Sequence, residues 1–212
     1  MDNEAVAVHI VKFLDEYAAS AGVRGFVIGI SGGIDSAVSS TLAVMTGRDV
    51  LCVTLPIHQP ASHVSRAEEH IAFLKERFMN VDSVEADLTE AYETFIEAFP
   101  EQSDDDRHML NSSNVRSRLR RTALYSFAGE RGALVVGTGN KIEDFGIGFF
   151  TKYGDGGVDI SPIGDLTKTE VYELGAYLGV PESILRAAPT DGLFGDDRTD
   201  EQQIGATYPE LE

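Results

Sequence analysis

Residues 26–44, FVIGISGGIDSAVSSTLAV, join an apolar run to a helix-forming run through a Gly-Ser-Gly turn. Gly29, Gly32 and Gly33 permit a tight bend with outward-pointing backbone amides. Ser31 adds a hydroxyl, and a helix beginning near Ser36 adds its positive dipole end. Such a turn cradles phosphate. It is not a Walker A loop, because no Gly-Lys-Ser/Thr follows, and its glycine spacing is wrong for a dinucleotide fingerprint. An acid, Asp35, sits at its mouth. A bare carboxylate beside bound phosphates is repulsive at low effective dielectric. A divalent cation between them reverses the sign, and Mg²⁺ binds through one or two carboxylates plus substrate phosphates. Asp is also a common helix N-cap, so residue 35 reads as a metal ligand or as a cap.

Other reactive residue types offer less. Cys52 is the only cysteine and lies in the apolar run DVLCVTLPI, which excludes a disulfide framework and reads as a small buried hydrophobe. The five histidines have no metal-ligand spacing. Arg116, Arg118, Arg120 and Arg121 concentrate four of the 17 basic residues in one helical stretch. Positions 116 and 120 share a face while 118 points the opposite way, so all four cannot reach one ligand. The net charge of −18 disfavours nucleic acid as a partner and demands that any anionic ligand be held by local cations and amides. No apolar run approaches a membrane span and no basic-then-apolar leader opens the sequence, so a cytoplasmic protein without a membrane partner is expected.

The elements that must position these residues alternate. Periodicity predicts helices over 2–20, 36–46, around 64–78, near 87–98, over 112–129 and over 168–178. Short β-branched runs predict strands at 25–30, 49–57, 81–86 and 133–138. Residues 99–111 read as a mobile acidic loop, and regular structure is doubtful over the glycine-dense 139–165. The alternation implies one domain of α/β class over residues 1–212, a doubly wound parallel sheet with helices on both faces. Ligands in such folds bind beyond the carboxyl ends of the strands. The Gly-rich strand ends at 29–33 and 137–139 should therefore share one site.

The hexapeptide SGGIDS resembles the loop of the N-type ATP pyrophosphatases, of adenine nucleotide alpha hydrolase-like fold, which cleave ATP to AMP and pyrophosphate while activating an acceptor. Three longer blocks resemble the NAD synthetase family within that group: NVRSRLRRTALYSFAG, GTGNKIEDFGIGFFTKYGDGGVDISPIGDLTKTEVYELGAYLGVP and APTDGLFGDDRTDEQQIGATYP. With no glutaminase or nitrilase-type segment, the resemblance is to the ammonia-using form. It implies amidation of deamido-NAD by ammonia with ATP as co-substrate and Mg²⁺ as cofactor, by a homodimer whose dinucleotide site lies near the subunit interface.

The resemblance also implies residue roles. Asp35 and Glu143 would hold the metal; Gly29, Ile30, Ser31, Gly32, Gly33, Ile34, Asp35, Ser36, Thr138, Lys168 and Thr190 would contact ATP. Arg118, Lys152 and Asp159 would contact deamido-NAD, the last two as the catalytic residues near the reacting carboxylate, in a glycine-rich loop that orders over substrate and excludes water. Lys168 falls in a first helical turn, a poor place for a surface lysine given the helix dipole, which favours function. Thr190 is also explained by the turn signal of Pro189 and Asp191-Gly192. The family usually continues into a further helix and a basic tail that contacts substrate; this sequence stops at Glu212 without them. Two alternatives stay open: another amidating pyrophosphatase such as GMP synthetase, against which the FTKYGDGGVDI block argues, and a non-catalytic adenine-nucleotide-binding module.

Overall fold

A computed structural model describes residues 1–59, 61–100, 106–190 and 199–212. In chain order it contains α1 (Asn3–Ala21), β1 (Gly25–Gly29), α2 (Ile34–Met45), β2 (Asp49–Thr54), α3 (Ala61–Arg77), β3 (Val81–Glu85), α4 (Thr89–Glu97), α5 (Asp106–Arg131) and β4 (Leu134–Val136). A π-helical segment (Lys141–Ile147) then precedes α6 (Lys168–Leu178), α7 (Glu182–Leu185), α8 (Asp200–Ile204) and α9 (Tyr208–Leu211). These strands are all parallel, in the order β3-β2-β1-β4. Beyond β4, Val136 forms a parallel bridge with Ile160.

Alternate strand residues feed two cores. Phe26, Ile28, Cys52 and Val136 face one layer, where Leu14 of α1, Val38 and Leu42 of α2 and Leu174 of α6 pack against them. Val27, Leu51, Val53 and Val135 face the other, against Leu124 and Ala128 of α5. Each such buried aliphatic side chain contributes about 1.5–3 kcal/mol, so the period-two pattern places helices on both faces, as the doubly wound reading requires. Cys52 is fully buried, and desolvation pushes its thiol up to about 12.

Two expectations change. The helix after the acidic segment begins at Asp106, so residues 106–111 are helical rather than loop; residues 101–105 lie outside the described residues. Residues 106–111, DRHMLN, hold only Met109 and Leu110 as apolar positions, adjacent rather than at helical spacing, so periodicity carried no signal there. Helix α2 starts at Ile34, two residues earlier than its periodicity suggested. No helix among the described residues is long and apolar enough to cross a membrane.

The strand order also fixes where a ligand can enter. β1 has β2 on one side and β4 on the other, so the chain leaves the carboxyl ends of these neighbours in opposite directions and opens a crevice between them.

Candidate active site

Beyond β1, Ile30 is tied to β2 by its N–H donating to Val53 O at 2.9 Å. The turn then folds on itself: Gly33 N donates to Ser31 Oγ at 3.2 Å and Ser36 Oγ donates to Gly33 O at 3.0 Å. Gly32 has φ +82°, and a Cβ there would lie 2.5 Å from His63 O of α3. Only glycine meets both conditions. Gly33 occupies the N-cap of α2 and makes no side-chain cap bond. Asp35 therefore sits in the first turn and is not the cap, which removes that alternative for its carboxylate.

The second strand end supplies the partners. After β4 the chain continues through Gly137, Thr138 and Gly139 to Asn140, which is fully buried and caps the π-helical segment. Its Oδ1 accepts from Ile142 N at 3.1 Å and Glu143 N at 3.0 Å, while its Nδ2 donates to Asp35 Oδ1 at 3.2 Å. One amide thus fixes the backbone carrying Glu143 and the side chain of Asp35. π-Helical turns concentrate at functional sites, and this one turns Glu143 toward β1.

Between the two carboxylates lies the ammonium of Lys168, the first residue of α6. Lys168 Nζ donates to Asp35 Oδ2 at 2.6 Å and to Glu143 Oε1 at 2.9 Å, with its side chain 3% exposed. A cation at a helix N-terminus opposes the dipole; two carboxylates outweigh that penalty here. Despite burial, Asp35 and Glu143 raise the Lys168 ammonium well above its ordinary value. Burial likewise pushes the Asp35 carboxyl up, with Lys168 offsetting part of the rise and Glu143 adding to it. Glu143 moves the other way: against the same burial, Lys168 and a hydrogen bond from Tyr208 hold its carboxyl low. Tyr208 OH donates to Glu143 Oε1 at 2.5 Å, and its ring covers Lys168 Nζ at 5.0 Å.

Of these groups, Asp35 and Glu143 line a cleft of about 570 Å³ at the carboxyl ends of the strands, while Asn140, Lys168 and Tyr208 do not. Gly29, Ile30, Ser31, Asp35 and Ser36 line it from one side, Thr138, Glu143 and Thr190 from others. Among the described residues, six carboxylates, on Asp35, Glu85, Glu143, Asp144, Asp155 and Asp200, line it against the guanidiniums of Arg120 and Arg121. Burial, reinforced by Asp155, Glu143 and Asp35, pushes Asp144 up to about 6. So acidic a cleft accepts a polyphosphate only with added counter-charge. A converging pair of half-buried carboxylates on either side of one cation position fits a hard divalent ion of the Mg²⁺ type.

The residues expected to contact the dinucleotide are elsewhere. Arg118 is exposed and donates from Nε to Lys152 O at 3.0 Å. It lines a smaller cavity of about 360 Å³ with Phe95 and Phe99. Lys152 is exposed, its Nζ 5.1 Å from the Tyr153 ring centroid. Asp159 runs along the edge of β4, where Oδ2 accepts from Val135 N at 2.8 Å and Oδ1 from Tyr125 OH at 3.0 Å. None of the three lines the large cleft. The glycine loop is already pinned to α5: Arg121 Nε donates to Gly154 O at 2.8 Å and Ser117 Oγ to Asp155 Oδ1 at 2.6 Å. Asp191 and Gly192 lie outside the described residues.

Sequence reasoning missed Asn140, Arg120, Arg121 and Tyr208 as parts of the site. Asn140 had a signal, an amide directly after the second Gly-rich strand end. Arg66, which donates from Nε to Gly32 O at 3.1 Å, had none.

A family model described as NAD synthase matches residues 6–212. The chain belongs to the NAD synthase family. Among curated relatives, the family members named NH3-dependent NAD+ synthetase in Methanosarcina mazei and Carboxydothermus hydrogenoformans are 40% and 38% identical. The alignments cover 100% and 96% of this chain and 81% of each relative. Among solved structures, NMN synthetase from Francisella tularensis superposes with a TM-score of 0.90 at 36% identity, covering 100% of this chain and 84% of that one. NAD+ synthetase from Burkholderia pseudomallei gives 0.80 at 29%, covering 100% and 80%. NAD synthetases are ligases, so family membership makes the chain a ligase of this kind.

Proposed function

We propose that this chain, as one catalytic domain, amidates deamido-NAD with ammonia at the expense of ATP, giving NAD, AMP and pyrophosphate through an adenylated intermediate. The observation that carries the reading is the convergence of Asp35 and Glu143, from two separate strand ends, on one buried cation position beside the glycine turn.

ATP lies with its phosphates over residues 29–36, within reach of Thr138, Thr190 and Lys168. Asp35 and Glu143 hold Mg²⁺, which when bound supplies charge that offsets the phosphates. The nicotinate carboxylate of deamido-NAD attacks the α-phosphorus and pyrophosphate leaves. Ammonia then adds to the activated carbonyl, a proton is lost and AMP leaves, yielding the amide. The protein's part is positioning and charge stabilisation, with no side-chain nucleophile. Lys168, released from its carboxylates, provides a positive group for the phosphates. Arg118, Lys152 and Asp159 receive deamido-NAD, the latter two toward the reacting carboxylate. Their exposed positions, on α5, in the glycine loop and at the edge of β4, suit a homodimer in which the dinucleotide bridges toward a second subunit. The enzyme works in the cytoplasm with no nucleic-acid or membrane partner.

The superposition with the Francisella NMN synthetase favours a second reading, in which the acceptor is the mononucleotide. Adenylation and ammonia addition are the same; only the adenylate half of the substrate is missing. One assay separates these readings: ATP, Mg²⁺ and ammonium with deamido-NAD, nicotinate mononucleotide or xanthosine monophosphate, following AMP and the amidated product. Deamido-NAD should give AMP and NAD in equal amount, and Asp35→Ala should abolish both while the fold is retained. AMP formed only with the mononucleotide establishes the second reading; unchanged turnover in Asp35→Ala overturns the metal assignment.

A further inference from the structure

Glu143 depends on a residue far along the chain from the motifs that flank it. Tyr208 opens α9 and is 4% exposed. Its hydroxyl reaches Glu143 Oε1, the oxygen that also accepts from Lys168, and approaches Asp200 Oδ2 of α8 at 3.5 Å. The phenol is held from several directions. Tyr208 N donates to Glu201 Oε1 at 2.9 Å. Thr207 and Glu210 close a capping box around the start of α9. Glu212 Oε1 accepts from Thr169 N at 2.8 Å, which fastens the end of α9 to the first turn of α6, where Lys168 stands. A short helix with four residues has little stability of its own, so these bonds and the buried ring give the phenol its fixed place.

A carboxylate on a π-helical turn can rotate about its side-chain torsions unless one oxygen is held. Lys168 cannot hold it during turnover, because the proposed reaction requires that ammonium for phosphates. Tyr208 has no such second task. We propose that Tyr208 is a positioning residue: its hydroxyl fixes Glu143 facing Asp35, and so couples the α8–α9 segment to the divalent-cation site. The inference rests on the reading of Glu143 as a metal ligand. Outer partners of ligating carboxylates typically carry about 10–100-fold in metal affinity or activity.

The test compares the parent protein, Tyr208→Phe and Glu143→Gln. Mn²⁺ binding is measured by electron paramagnetic resonance in the presence of a non-hydrolysable ATP analogue, without turnover. Tyr208→Phe keeps the buried ring and removes only the hydroxyl. Its Mn²⁺ dissociation constant should rise by about tenfold or more. The Mg²⁺ concentration for half-maximal rate should rise in parallel, with kcat recovered at saturating Mg²⁺ and the melting temperature near that of the parent. Glu143→Gln should lose Mn²⁺ more severely. If Glu143→Gln weakens Mn²⁺ binding and Tyr208→Phe does not, the positioning role is wrong, whatever happens to kcat or melting temperature. If neither variant changes Mn²⁺ binding, the metal reading of Glu143 fails first.

Discussion

Replacing Lys168 by Met would leave Asp35 and Glu143 facing each other in a site where their side chains are only 18% and 14% exposed. At an effective dielectric of about 20, an ammonium 2.6 or 2.9 Å from a carboxylate gains roughly 6 kcal/mol from each. Burying all three charges offsets most of that gain. Removing one partner from a buried ionic group nevertheless costs about 3–5 kcal/mol, because the remaining charge is uncompensated. Lys168→Met should therefore be destabilised by that amount in urea unfolding near neutral pH, without nucleotide. Two treatments should restore it. Acid should, because a carboxyl whose folded-state pKa is raised binds a proton that the unfolded chain releases, and stability then increases as pH falls. Mg²⁺ should also, by about 1.4 kcal/mol at ten times its dissociation constant, and by more in the variant than in the parent, where the metal must displace the ammonium. A variant as stable as the parent, with no response to Mg²⁺, would show that the three groups do not act as one electrostatic unit.

The turn and the core give further expectations. Gly32→Ala places a Cβ 2.5 Å from His63 O at a φ of +82°; the left-handed conformation alone costs about 1–2 kcal/mol, so urea unfolding should show at least that loss and the KM for ATP should rise as the turn shifts. His70 is fully buried, with Nε2 2.8 Å from Ser40 Oγ, and burial pushes its imidazole down from 6.5 to about 4. The unfolded chain gains this proton first as pH falls, so stability present above about pH 6.5 is lost progressively down to about pH 4. The full loss is roughly 3 kcal/mol. His70→Gln should flatten the pH dependence of stability across that interval by this amount, and an unchanged slope would refute the assignment.

Much of this molecule is written locally. The apolar strand, the glycine turn and the helix after it can be read within twenty residues, because φ at Gly32 and the period of the buried side chains are local properties. The same periodicity gave the parallel sheet and both helical layers. It failed where apolar residues did not fall at helical spacing, as over residues 106–111 of α5, and it placed the start of α2 late because Gly33 caps it without a side chain.

The sequence by itself determined the alternation of strands and helices, the glycine turn, and the resemblance that named Asp35, Glu143 and Lys168. Which of those side chains touch, and through what, was decided only by the tertiary structure. The order of strands put the ends of β1 and β4 side by side, and packing of α6 against α2 and of α9 against α6 and the π-helical segment brought Lys168 and Tyr208 onto carboxylates distant in the chain. Asp159 instead satisfies a backbone N–H at the edge of β4, and Arg118 a carbonyl of the glycine loop. The physical reason is the range of the interactions: torsions and periodicity act over a few residues and can be read in order, whereas an ion pair between positions 35 and 168 exists only after the intervening chain has been folded around a common core.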